Sequence, residues 1–267
     1  RLALIIGNAA YPEPNTLINP SRDARAMSEV LRGLGFSVIT LQDGNRVQMA
    51  AAIAQVRDAL KGRKGVGLFY YAGHGVQHDW RNFMVPIDAR LQRSTDIPSA
   101  TVDVSQVLDA FKEAGNRLNL VILDACRDNP FGDSKLPGLA PLDAPANTLI
   151  AFATAPGSVA SDGRGANGLY TQHLLANIER PGVPIEEVFK RVRLGVRLDS
   201  NGGQVPWEST SLEEDVYLFP SERKKLSDAE QDQQLEQEIS SWLRVKSSND
   251  VLALANFVRQ YPSGSAS

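Results

Sequence analysis

Val66-Gly67-Leu68-Phe69-Tyr70-Tyr71-Ala72-Gly73-His74-Gly75 opens with an apolar run, Val66 to Tyr71, and sets a histidine flanked by glycines three residues beyond it. A second stretch has the same plan. Leu118 to Leu123 is apolar, and Asp124-Ala125-Cys126-Arg127 follows, which puts a cysteine three residues past its run. Cys126 is the only cysteine in 267 residues. If the two runs are neighbouring parallel strands, about 4.8 Å apart, the loops after them bring an imidazole beside a thiol. That is the pairing of a cysteine nucleophile with a histidine base.

Three further runs read as strands: Leu2 to Ile6, Phe36 to Leu41 and Thr148 to Ala153. All five are nearly continuous in apolar character, as expected when both faces of a sheet are covered. Helical patterns lie between them. Asn19-Pro20 has the form of an N-cap with proline at the first helical position, and Ala24, Met27, Leu31 and Leu34 continue as a stripe. Met49, Ile53, Val56 and Leu60 form a second stripe, and Val104, Val107, Leu108 and Phe111 a third. The alternation predicts an α/β fold, a mostly parallel central sheet flanked by helices on both faces.

Two helical stretches follow, Gly168 to Glu179 and Pro184 to Leu198, then a turn at Asn201-Gly202-Gly203-Gln204 and an expected last strand at Asp215 to Phe219. From Ser221 the composition shifts to Glu, Gln, Lys and Ser, and Val251, Leu254 and Val258 make a short amphipathic stripe. The expected organisation is one domain over residues 1–220 and a linker with a partial helical C-terminal region over 221–267.

Composition limits the function. Apolar residues make up 42% of the chain, enough for a substantial core, and the net charge of −3 disfavours a general nucleic-acid surface. No stretch approaches 18 continuous apolar residues, so no membrane helix is read. A lone cysteine excludes an internal disulfide framework, and three scattered histidines, His74, His78 and His173, argue against a zinc site. Gly7-Asn8-Ala9-Ala10 lacks a dinucleotide or phosphate-loop pattern, so no cofactor is expected. The chain opens directly on an apparent core strand and is expected to begin inside a longer protein. The compartment stays open.

A thiol is more often a small buried hydrophobe than a nucleophile. Two things favour the nucleophile at Cys126: its place beyond the C-terminal end of a strand, where open α/β sheets bind ligands, and its polar neighbours Asp124, Arg127 and Asp128. A nearby imidazolium would favour the thiolate. The glycines around His74 fit either a tight turn or close approach of a substrate. In the second case the amides of Gly75 and Cys126 are the oxyanion donors. His78 sits in a polar loop and His173 in a helical pattern, so both compete poorly as the base. Asp124 is either a cap or part of the pocket for the residue before the scissile bond. Asp23 either meets its own helix dipole or, if the first strand lies beside the third, faces the same cleft. Two carboxylates there would call for a cation, and a guanidinium matches a carboxylate in shape.

The sequence resembles caspase-type cysteine peptidases of the caspase, metacaspase and paracaspase clan, most of all paracaspases and bacterial caspase-domain proteins. The resemblance spans roughly residues 1 to 220. It rests on Leu4-Ile5-Ile6-Gly7-Asn8, Tyr70-Tyr71-Ala72-Gly73-His74-Gly75, Phe83-Met84-Val85-Pro86-Ile87-Asp88-Ala89 and Leu123-Asp124-Ala125-Cys126-Arg127. It implies that Cys126 is the nucleophile, His74 the base, and Asp23 and Asp124 the acids that bind a basic side chain. Caspases carry glutamine where Asp124 stands, so cleavage after aspartate is not expected. Val159 falls where human-type paracaspases have a third acid, which widens the expected preference from arginine towards lysine. Arg127-Asp128-Asn129-Pro130-Phe131 differs from the metacaspase run, and calcium dependence is not expected. The resemblance also implies protein or peptide substrates and a homodimer formed through the last sheet strand. Lys135, in the loop Gly132 to Pro145, is a candidate self-processing site. Two other readings remain: an inactive scaffold that recruits partners, and an unrelated thiol transferase or esterase.

Overall fold

Five parallel strands form most of the sheet: the four inner ones are almost wholly buried beneath helices on both faces, and the fifth, Ser37–Gln42, runs along the edge with no residue fully buried. The structure, a computed structural model, describes residues 1–126, 139–155, 165–219, 228–246 and 257. The chain divides into two compact units, Arg1–Pro220 and Ser221–Ser267.

In the first unit the strands are β1 (Leu2–Gly7), β2 (Ser37–Gln42), β3 (Val66–His78), β4 (Arg81–Met84), β5 (Val102–Asp103), β6 (Leu118–Cys126), β7 (Thr148–Phe152) and β8 (Trp207–Thr210). The helices are α1 (Pro20–Gly33), α2 (Arg46–Leu60), the single turn α3 (Ile97–Ala100), α4 (Ser105–Ala114), α5 (Leu169–Ile178) and α6 (Ile185–Asp199). In the second unit the structure describes one helix, α7 (Asp228–Val245). Among the described residues no helix is long and apolar enough to cross a membrane.

The sheet runs β2-β1-β3-β6-β7-β8, parallel throughout except for the antiparallel β7–β8 pair. One face packs Met27 and Leu31 of α1, Leu174 of α5 and Phe189 and Val192 of α6 against Ile5, Tyr70 and Ile122. The other packs Met49, Ile53 and Val56 of α2 and Val107 and Phe111 of α4 against Leu4, Phe69 and Val121. Successive residues of the inner strands thus enter opposite cores, which explains why those runs are nearly continuous in apolar character.

Local caps differ in detail from expectation. Pro20 does open α1, but Asn19 makes no side-chain cap; its carbonyl accepts from Arg22 and Asp23 instead. Asn45 closes a capping box on α2 with Gln48. Asn8, fully buried, donates to the carbonyls of Gly44 and Val85 and accepts from the Gly44 amide. It ties the ends of β1, the β2–α2 turn and the chain after β4 together at one end of the sheet. An apolar side chain there would strand buried amide groups at about 1–3 kcal/mol each.

Two expectations need correction. Asp215–Phe219 is not a strand. Its backbone instead serves the α5–α6 turn, where Gly182 N–H donates to Phe219 O and Ile185 N–H to Val216 O, while Leu218 fills the core. Among the described residues the last strand is β8, antiparallel to β7. In addition, β3 and β6 do not stop at the ends of their apolar runs. They stay paired through His74 and Cys126, because the ladder continues across Ala72–His74 and Asp124–Cys126. Both catalytic candidates are therefore on strands and not in loops.

Candidate active site

The β3–β6 ladder sets His74 opposite Cys126 as its last parallel pair. Neighbouring strands lie about 4.8 Å apart, so the two backbones meet at the C-terminal edge of the sheet, where ligands bind in open α/β folds. Beyond His74 the strand leaves β6 and turns into a hairpin with β4, pairing Gly75 with Met84 and His78 with Arg81.

The backbone of His74 is held by two tyrosines. Its N–H donates to Tyr11 Oη (3.1 Å), and its carbonyl accepts from Tyr71 Oη (2.7 Å) and from Val85 N–H (3.0 Å). A Cβ on Gly73 would lie 2.7 Å from Tyr71 Oη and 2.8 Å from Tyr11 Oη, so only glycine fits between them. The imidazole leans on the Tyr11 ring, with centroids 4.5 Å apart. Its Nε2 is 2.7 Å from the carbonyl oxygen of Asn15. A carbonyl only accepts, so Nε2 carries the proton, and in the neutral ring Nδ1 holds the lone pair.

The polar groups of Gly75 point away from β4. Val85 donates to His74, so the 74/85 pair spends its groups across the hairpin, and the alternation of an antiparallel ladder turns those of Gly75 to the opposite side. That side is where β6 lies.

The two acids converge. A Cβ on Gly168 would sit 3.1 Å from Asp23 Oδ2 and 3.7 Å from Asp124 Oδ2. Both carboxylate oxygens are therefore within van der Waals reach of one point beside Gly168. β1 does lie beside β3, the condition for Asp23 to share this cleft. Asp23 is only 2% exposed. Its Oδ1 accepts from Asn167 Nδ2 (2.8 Å) and from Gly168 N–H (3.1 Å). It stands in the first turn of α1 and at the N-cap of α5; both dipole ends favour its negative charge.

Asp124 Oδ2 accepts from Thr171 Oγ1 at 2.6 Å. Thr171 has one proton and gives it to the carboxylate, so Tyr70, 2.6 Å from Thr171 Oγ1, donates to Thr171. Burial first, and then the charges of Asp124 and Asp23, hold the Tyr70 hydroxyl well above its ordinary pKa. It stays protonated, and the relay Tyr70–Thr171–Asp124 orients the acid.

The other histidines are engaged elsewhere. His78 pairs with Asp79 at the hairpin tip, and His173 pairs with Asp199, joining α5 to α6. Val159, Arg127–Phe131 and Lys135 lie outside the described residues. Sequence reasoning missed Tyr11, the Asn15 carbonyl, Tyr70, Asn167, Gly168 and Thr171. They are distant in sequence from the residues they hold, and several act through backbone groups, which leave no mark in residue type.

A mostly parallel sheet with this strand order, helices on both faces and a histidine–cysteine pair at its C-terminal edge defines a caspase-like peptidase fold. A family model described as the caspase domain matches residues 1–217, and the chain belongs to that family. It is 35% identical over 179 residues to mucosa-associated lymphoid tissue lymphoma translocation protein 1 of Homo sapiens and to its homologue in Mus musculus, a match covering 65% of this chain. The chain spans about a fifth (21%) of the length of those relatives. The crystal structure of caspase-1 from Spodoptera frugiperda superposes with a TM-score of 0.64, covering 83% of this chain and 90% of that one, at 18% identity. That likeness is one of fold.

Proposed function

We propose that this chain is a cysteine endopeptidase that cleaves after arginine, and less well after lysine, by a Cys126–His74 dyad. The observation that carries the proposal is the strand register that sets His74 beside Cys126. His74, with its Nε2 proton on the Asn15 carbonyl, takes the thiol proton at Nδ1. The thiolate attacks the scissile carbonyl, and the amides of Gly75 and Cys126 hold the oxyanion. His74 then passes the proton to the leaving amine. Water, deprotonated by the same ring, cleaves the thioester and frees the thiol.

The preference for a basic residue rests on Asp23 and Asp124, whose oxygens converge on Gly168. The test is a library of fluorogenic peptides varied at the residue before the cut, read with and without calcium. Arginine should lead and lysine follow, with no effect of calcium. A lead by aspartate or by apolar residues would contradict the roles of both acids. Absence of any Cys126-dependent hydrolysis would favour the scaffold reading. Cleavage of small thioesters without peptides would favour the transferase or esterase.

Residues 1–220 form the proposed catalytic domain and 221–267 its linker and helical appendage. The homodimer expected through the last strand moves, with the correction above, to β8, whose outer side offers ladder groups for pairing. The Thr210 amide faces that outer side, because the Thr148–Ser211 pair spends its groups across β7 and β8. Sedimentation velocity with wild type and Thr210→Pro should show a dimer lost in the variant, and a monomeric wild type at micromolar concentration would remove it.

A further inference from the structure

Asn82 is 3% exposed and spends both ends of its amide on one residue. Its Nδ2 donates to Ala140 O at 2.9 Å, and its Oδ1 accepts from Ala140 N–H at 2.6 Å. The side chain thus imitates a strand partner for the chain that returns after the nucleophile. Asn82 is itself fixed. It lies on β4 opposite Gln77 of β3, and its carbonyl accepts from Val104 N–H at 2.9 Å. Leu139 and Ala140 are 3% and 1% exposed.

The clasp sets the position of Leu139. A Cβ on Gly75 would be 3.2 Å from Leu139 Cδ2 and 3.0 Å from Ala125 Cβ. Gly75 is therefore wedged between the residue preceding Cys126 and the residue preceding the clasped Ala140. β4 does not hold the Gly75 amide, because that pair turns its polar groups away from the hairpin. Strand pairing with Met84 and the neighbouring His74–Val85 bond set the course of Gly75; the two wedges limit the remaining tilt of its peptide, and an oxyanion donor serves only while its N–H keeps one direction.

We infer that Asn82 is a positioning residue for the oxyanion amide of Gly75, acting through Leu139; the inference rests on the cysteine peptidase reading above. Asn82 touches no reacting atom. It holds the returning chain against Gly75, so the fold itself orients the amide before substrate arrives.

The test compares wild type with Asn82→Leu, which removes both clasp bonds at similar volume, and Leu139→Ala, which leaves the clasp and removes the wedge. Each is assayed below its melting transition, on an arginine-terminated peptide amide and with iodoacetamide. Iodoacetamide alkylates Cys126 without forming an oxyanion. Each variant should lose about 10- to 100-fold in kcat, with KM within about threefold of wild type. Alkylation rate and its pH profile should stay within about twofold, since neither thiolate nor imidazole has moved. A kcat within about threefold of wild type in both variants overturns the inference, as does alkylation that falls in parallel with kcat. If Asn82→Leu does not fold, Leu139→Ala decides. A wild type without Cys126-dependent turnover would instead take down the peptidase reading itself.

Discussion

Alanine at Cys126 is expected to lower kcat/KM for an arginine-terminated peptide amide by about 10⁴-fold or more, because no other thiol exists in the chain to form the acyl-enzyme. The His74→Ala variant should lose about 10²- to 10⁴-fold, the range for a general acid–base group. The two losses should not add. A variant with both changes should be about as inactive as Cys126→Ala alone, since base and nucleophile act as one unit. His78→Ala and His173→Ala are the controls, because those rings are paired with Asp79 and Asp199. Hydrolysis that survives in Cys126→Ala at the wild-type rate would refute the mechanism. A loss in His78→Ala as large as that in His74→Ala would refute the choice of base.

Asp124→Asn is expected to cut kcat/KM for arginine substrates by about 10²- to 10³-fold, which corresponds to losing one charged partner of a desolvated hydrogen-bonded pair at about 2–5 kcal/mol. The change is isosteric, so Thr171 keeps an oxygen to donate to. Neutral substrates should be cleaved no worse than before, and selectivity for arginine over norleucine should collapse. Asp23→Asn should lower that selectivity as well, because Asp23 Oδ2 reaches the same point beside Gly168. It also has a structural cost if the new amide nitrogen faces the donors of Asn167 and Gly168. Gly168→Ala separates charge from space. Its φ of −58° suits any residue, so the backbone is not strained, but the added methyl would sit 3.1 Å from one carboxylate oxygen and 3.7 Å from the other. It should therefore exclude guanidinium while leaving both charges in place. Full arginine selectivity in Asp124→Asn would remove that residue from the pocket.

Much of the fold was legible because the central strands are buried on both faces. Leu2–Gly7, Val66–Tyr71, Leu118–Leu123 and Thr148–Phe152 carry nearly continuous apolar runs, broken only by the polar Asn119 and Thr148, as a covered parallel sheet requires. Strand ends and edges were harder. Ala72-Gly73-His74 has poor strand propensity, yet it stays in the ladder because β6 continues beside it. Trp207-Glu208-Ser209-Thr210 is a strand with few apolar residues, as an edge permits, since none of its residues is fully buried. Val216 and Leu218 gave Asp215–Phe219 the pattern of a strand, but they pack as irregular chain against the helix-side core. The short hairpin partners β4 and β5 left no periodicity long enough to read.

The sequence by itself determined the layered α/β class and the order of its central elements, and it singled out His74 and Cys126 as candidates, because burial and reactivity are properties of residue types and their local spacing. Tertiary structure alone decided the rest. It set the register that faces His74 with Cys126, the carbonyl of Asn15 that selects the imidazole tautomer, and the meeting of Asp23, Asp124 and Gly168 across 145 residues of chain. Those depend on which backbone groups come within about 3 Å of one another, and residues far apart in sequence carry no local signal of that approach.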